Sequence, residues 1–308
     1  MGKKSLVGIA GLFLLSSVVA CGGSETTTES SVVETSLETP AYPVTVGELT
    51  LKSQPMRIIS LSPTATEMLY AIGAGGQVVA VDDYSNFPAE AVALGTALSG
   101  YEPNVEAIAG FSPDLVIIAY DSNGLVEQLK SLSIPVFMAA AATSFEDAYS
   151  QIEQLGALTG HLDTAVQVSG QMQSDIAAAV AEVTLPTTPI LYFHELDNTY
   201  YSATSNTFIG QVYGLFELTN IADGVVEGND YPQLSAEVIV KANPDIIFIS
   251  HSDTPEIVAA RDGWGNMKAV TNEQVVVLPA DVPSRWGPRL VDFVKAIRDA
   301  VLLVITNS

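Results

Sequence analysis

Positive charge is scarce in this chain. Against 35 Asp and Glu stand 12 Lys and Arg, for a formal net charge of −23 over 308 residues. A nucleic-acid binder neutralises phosphates with clustered Lys and Arg, so that class is excluded. So is a protein held to an anionic lipid surface by charge alone. The single cysteine, Cys21, rules out an intrachain disulfide and an all-cysteine metal centre. Three histidines, His161, His194 and His251, lie far apart, and neither HxH nor HExxH spacing occurs. GxSxG and Walker A patterns are missing, and Gly73-Ala-Gly-Gly76 lacks the third glycine of a dinucleotide loop. The expectation is a protein that is not an enzyme, with no intrinsic cofactor and no resident metal. After residue 20 no apolar run is long enough to span a bilayer. Apolar residues still make up 48% of the chain, enough for a large core, so it is not a disordered acidic tail.

Residues 1–20 combine Lys3 and Lys4 with an apolar stretch and small residues before Cys21, the pattern of a signal peptide. Val18-Val19-Ala20-Cys21 resembles a bacterial lipobox, in which cleavage leaves Cys21 as a lipidated N-terminus. Residues 21–40 are rich in Thr, Ser and Glu and hold no aromatic residue and no Lys or Arg. Such a segment cannot build a core and reads as a flexible acidic tether.

Short β-branched runs at residues 56–61, 78–81, 115–119, 135–139, 190–193, 246–250 and 275–278 read as buried parallel strands. Helical patterns lie between them, at 64–72 and 144–158, which argues for an α/β class. The chain also repeats itself: residues 104–119 align without a gap on 235–250, an offset of 131 that matches Glu106 with Glu237 and Pro113-Asp114 with Pro244-Asp245. Between the copies, residues 161–185 carry apolar positions at three-to-four spacing, as one long amphipathic helix would. That organisation predicts an N-terminal α/β lobe over 41–160, a bridging helix over 161–185 and a C-terminal α/β lobe over 186–308. A cleft between lobes is where small ligands bind.

The segments 57–73, 79–88, 104–119, 231–237 and 284–289 together resemble the substrate-binding proteins that feed vitamin B12 and iron-chelate ABC importers. The likeness runs from about Pro55 to Val301. It implies two Rossmann-like α/β lobes joined by a single long rigid helix, the helical-backbone class III periplasmic-binding-protein fold, with little lobe movement on binding. It implies an extracytoplasmic lipoprotein on the cell membrane, monomeric, that hands its cargo to an ABC permease and its ATPase. Cobalamin is the leading cargo. A ferric siderophore or haem remains open, as does a non-transport surface sensor using the same fold.

Carried over by motif, the resemblance assigns ligand contacts to Ser62, Tyr84, Tyr101, Tyr201, Tyr231, Asp281 and Arg285. Aromatic area suits a large flat ligand, and an arginine suits a phosphate or carboxylate. At positions 101 and 231 the B12-binding relatives have Trp where this chain has Tyr. Glu106 and Glu237, one on each lobe, are assigned to docking on the permease. His194 and His251 follow predicted strands and could face the cleft, with no spacing that supports a metal site, whereas Trp264 is expected to pack in the core.

Overall fold

The computed structural model describes residues 42–96 and 98–307; the expected signal peptide, Cys21 and the tether lie outside the described residues. A short antiparallel hairpin, β1 (Val44–Val46) with β2 (Leu49–Leu51), precedes the first parallel sheet. That sheet contains β3 (Ile58–Leu61), β4 (Val78–Val81), β5 (Leu115–Ile118) and β6 (Val136–Met138), in the order β4-β3-β5-β6. Its helices are α1 (Pro63–Ala71), α2 (Ala89–Val92), α3 (Val105–Gly110), α4 (Leu125–Ser131) and α5 (Phe145–Thr159). The connector α6 spans Leu162–Ala181. The second sheet contains β7 (Leu191–Glu195), β8 (Thr219–Asn220), β9 (Ile246–Ile249) and β10 (Val275–Val277), in the order β8-β7-β9-β10. Around it lie α7 (Phe208–Gly214), α8 (Ala236–Ala242), α9 (Pro255–Ala259), α10 (Lys268–Thr271) and α11 (Leu290–Asn307). In each sheet the strand that comes first in the chain sits between the second and the third.

The repeat explains part of this likeness. β5 and β9 keep the 131-residue offset at both ends. The helix before each is capped the same way: Asn104 accepts from Ala107 N, and Ser235 accepts from Val238 N. The aspartates of the two Pro-Asp turns then tie down the neighbouring first strand. Asp114 accepts from Met56 N at 2.8 Å and Arg57 N at 2.9 Å, and Asp245 accepts from Leu191 N at 2.9 Å. Each turn thereby sets the register between the first and third strands of its sheet.

Side chains alternate across both sheets with period two. Leu115, Ile117, Ile246 and Phe248 point into one large core, which also takes Met172 and Ile176 of α6 and Val294 and Ile297 of α11. Val116 and Ile118 enter a separate cluster on the first sheet, and Ile247 and Ile249 a separate cluster on the second. α6 packs against both α5 and α11, so one continuous core joins the two sheets. The helix ends at Ala181, short of the expected Leu185, with Val183 N donating to Val180 O at 3.1 Å. Among the described residues no helix is long and apolar enough to cross a membrane.

α5 and α6 meet at Gly156. A Cβ there would lie 2.3 Å from Ala165 Cβ and 3.1 Å from His161 O. Gly160, at φ 78°, closes α5 so that α6 can fold back. Gly156→Val is expected to cost about 1–3 kcal/mol through overpacking and to lower Tm by several degrees. Gly170→Ala on the exposed face of α6, where a Cβ meets nothing within 4 Å, is expected to hold or raise Tm. Thermal melts followed by circular dichroism compare the two; equal Tm values would contradict the close crossing.

Candidate functional site

Parallel strands present their carboxyl ends to a crevice, and in a doubly wound sheet ligands enter where successive strands diverge. In the first sheet that place lies between β3 and β5. A cavity of about 480 Å³ opens there. Leu61 ends β3 and Ser62 to Thr64 follow it, Asp82 and Tyr84 follow β4, Ala119 and Tyr120 follow β5, and all of them line it. Ser284, Arg285 and Trp286, from the loop before α11, line it from the other side.

Tyr84 and Tyr101 meet edge to face with ring centroids 5.3 Å apart, and Tyr101 leans on Tyr120 at 5.9 Å. The three rings form one exposed aromatic wall, with Tyr84 54%, Tyr101 61% and Tyr120 43% accessible. Monomeric proteins seldom leave such a patch bare without a binding role. Ser62 has a different part. It is buried, and its hydroxyl caps α1 by accepting from Ala65 N at 3.3 Å, with Pro63 in the first helical position where its missing N–H costs nothing.

The loop that carries Arg285 and Trp286 is fastened to α1 by charge. Glu67 is 3% exposed, and Arg289 grips both of its carboxylate oxygens, with Nε at 2.9 Å from Oε2. Arg289 also donates to Asp281 and lies over the Phe87 ring at 4.7 Å. Burial alone would raise the Asp281 carboxyl, but Arg289 outweighs it and holds the group below its ordinary range. Trp286 Nε1 donates to Gln151 Oε1 on α5 at 3.0 Å. Gly287 passes so close to α1 that a Cβ would touch Thr64 at 3.6 Å. Arg285 itself is left partly unanswered. Its Nε lies 3.5 Å from Glu67 Oε1 and is buried without a hydrogen-bond partner.

The structure thus brings Ser62, Tyr84, Tyr101 and Arg285 to one cavity. Asp281 instead engages Arg289, and Tyr201 and Tyr231 do not line the cavity. Tyr201 bridges to Gln233, and both tyrosines are exposed on the second sheet's loops. Glu106 and Glu237 are exposed at the second position of α3 and α8, equivalent places in the repeat. The expectation that His194 faces the cleft is corrected. It is fully buried, Nε2 is 3.0 Å from Ser250 Oγ, and Nδ1 is 2.7 Å from Tyr213 OH. Burial pushes its pKa down to about 3, so it stays neutral. His251 occupies the repeat position of Tyr120, yet it faces an ion network instead of an open cavity. Its Nε2 is 3.3 Å from Glu195 Oε1, and Arg261 bridges Glu195 at 2.8 and 2.7 Å and Asp253 at 2.9 Å. Arg261 is packed over Tyr200 and over the fully buried Trp264. Among the described residues no group of three His, Cys, Asp or Glu could hold a metal.

Sequence reasoning missed Asp82 and Tyr120 as lining residues. Each directly follows a strand that it had located, and that position in a parallel sheet was the available signal. Asp82 is 4% exposed and accepts a hydrogen bond from Ser85 Oγ. Burial pushes its carboxyl up from 3.8 to about 6, against the opposing bond from Ser85. Its proton is therefore held more tightly in the fold than in the unfolded chain. The stabilisation is full below pH 4 and is lost as pH rises through 6, by up to about 3 kcal/mol. Urea midpoints between pH 4 and 7 are expected to fall more steeply for the native chain than for Asp82→Asn; parallel curves would contradict the buried acid.

Residues 58–282 match the periplasmic binding protein family. An uncharacterized ABC transporter substrate-binding lipoprotein of Bacillus subtilis is 29% identical over 314 residues, covering 97% of this chain and 98% of its own. A cobalamin-binding protein of Halobacterium salinarum is 32% identical over 269 residues, 82% of this chain and 72% of that one. Among solved structures, the periplasmic vitamin B12-binding protein of Vibrio cholerae superposes with a TM-score of 0.65 at 28% identity, over 82% of this chain and 97% of that chain.

Proposed function

The chain belongs to the periplasmic binding protein family, whose members bind solutes and do no chemistry on them, and on that premise we propose that it is the extracytoplasmic receptor of an ABC importer for a cobalamin-type corrinoid. The observation that carries this reading is the pairing of an exposed three-tyrosine wall with a half-buried arginine, Arg285, in one cavity at the strand ends. A corrin offers a broad flat face for the rings and a single phosphodiester for the guanidinium. A cavity of about 480 Å³ holds only part of such a ligand. The remainder lies outside it, against Tyr201 and Tyr231.

Docking follows the repeat. Glu106 and Glu237 stand at matching exposed helix starts, one contact for each half of a two-fold permease. Backbone and Ser235 hydrogen bonds hold the Glu237 carboxyl below its ordinary range, so it is charged at neutral pH. Lipidation at Cys21 would keep the receptor at the membrane face where the permease sits.

Titration of the purified chain with cyanocobalamin, haemin and ferric siderophores by calorimetry and tryptophan quenching tests the cargo. Trp286 in the cavity wall supplies the optical signal. Cyanocobalamin is expected to bind with Kd below about 10 μM, and weaker binding would sink the corrinoid reading. Arg285→Ala is expected to weaken it about 10–100-fold, the worth of a hydrogen bond to a charged group. The double change Glu106→Ala with Glu237→Ala is expected to leave Kd unaltered and abolish uptake by whole cells; undiminished uptake would contradict the docking role.

A further inference from the structure

We propose that Asp82 selects the cargo, favouring a ligand edge that donates uncharged hydrogen bonds and rejecting one that carries a carboxylate. The inference rests on the cavity being the binding site. Asp82 follows β4 directly and lines the cavity wall. Oδ1 is held by Ser85 Oγ, which belongs to a buried run of hydroxyls: Ser85 lies 2.8 Å from Thr66 Oγ1, and Thr66 donates to Ser60 Oγ at 2.9 Å. Oδ2 receives no hydrogen bond from the described residues. Opposite it stands Gly100, where a Cβ would lie 2.9 Å away. A glycine in that place keeps a side chain off the oxygen where the residue lines the cavity.

An ionised carboxylate only accepts. A ligand amide brought against Oδ2 donates to it, whereas a ligand carboxylate meets like charge at a poorly hydrated position. The charged and titratable groups that act on Asp82 are Asp83, which raises its pKa, Arg285, which lowers it, and Tyr120, whose own pKa Asp82 helps to raise. One cation and one acid in the same cavity suit a cargo with a single anionic group and otherwise neutral donors. Burial raises the Asp82 carboxyl to about 6. In mild acid it therefore becomes a donor itself, and the discrimination fades.

Two matched ligand pairs test this on the full chain. One is cyanocobalamin against its monocarboxylate, made by hydrolysing one peripheral amide; the other is haemin dimethyl ester against haemin. At pH 7.5 the native chain is expected to bind the neutral member of a pair at least about tenfold more tightly, roughly the effect of one unpaired charge. At pH 5 the gap narrows. Asp82→Asn closes it at both pH values, which separates the protein's proton from the ligand's. Equal affinities at pH 7.5, a preference for the carboxylate, or an unchanged gap in Asp82→Asn overturns the proposal. Binding of the haemin pair alone defeats the corrinoid reading and still reads Asp82. Binding of neither pair overturns both.

Discussion

A carboxylate buried inside a protein must be answered by a partner, because an uncompensated charge there is strongly destabilising. Glu67 on α1 is such a group, and its partner Arg289 comes from 222 residues further along the chain. The rest of the site depends on that pairing. It fixes the loop before α11 against α1, and the loop then closes the cavity with Arg285 and Trp286. Arg289 is occupied by Glu67 and Asp281, while Arg285, whose Nε also lies 3.5 Å from Glu67, lines the cavity. The loop thus divides two tasks between two arginines four residues apart: one holds the frame, the other lines the cavity.

Much of the fold was legible because its strands are buried on both faces and appear as unbroken apolar runs. β3, β5 and β9 are buried at every position, and their limits fell within two residues of those read from sequence. The long connector was legible from its period, and its last turn was overrun because Val183 and Leu185 continue the apolar spacing after the helix has stopped. Three-residue strands such as β1 and β2 are too short to show a period. α11 carries Leu290, Phe293, Val294, Ile297 and Val301 at helical spacing. It directly follows the 284–289 motif and was not among the helices read from sequence.

The candidate cavity was legible in part of its aromatic lining. Tyr84 and Tyr101 could be placed by motif, and the cavity includes both. The polar half depends on pairings that no local pattern encodes. Asp281 was assigned to the ligand by motif, and in the structure its carboxylate engages Arg289, which Glu67 of α1 holds from 222 residues away. His194 followed a strand and so pointed towards the crevice, but the period-two alternation of β7 turns its ring inwards to Tyr213 and Ser250.

The two sheets share one strand order but differ at the mouth. Between β3 and β5 the crevice is open, while between β7 and β9 Glu195, Arg261 and His251 fill the corresponding place with charge that is already paired. A duplicated strand order therefore does not duplicate the crevice: the first sheet keeps its strand ends open, and the second gives the same position to an internal ion network that ties its own loops together.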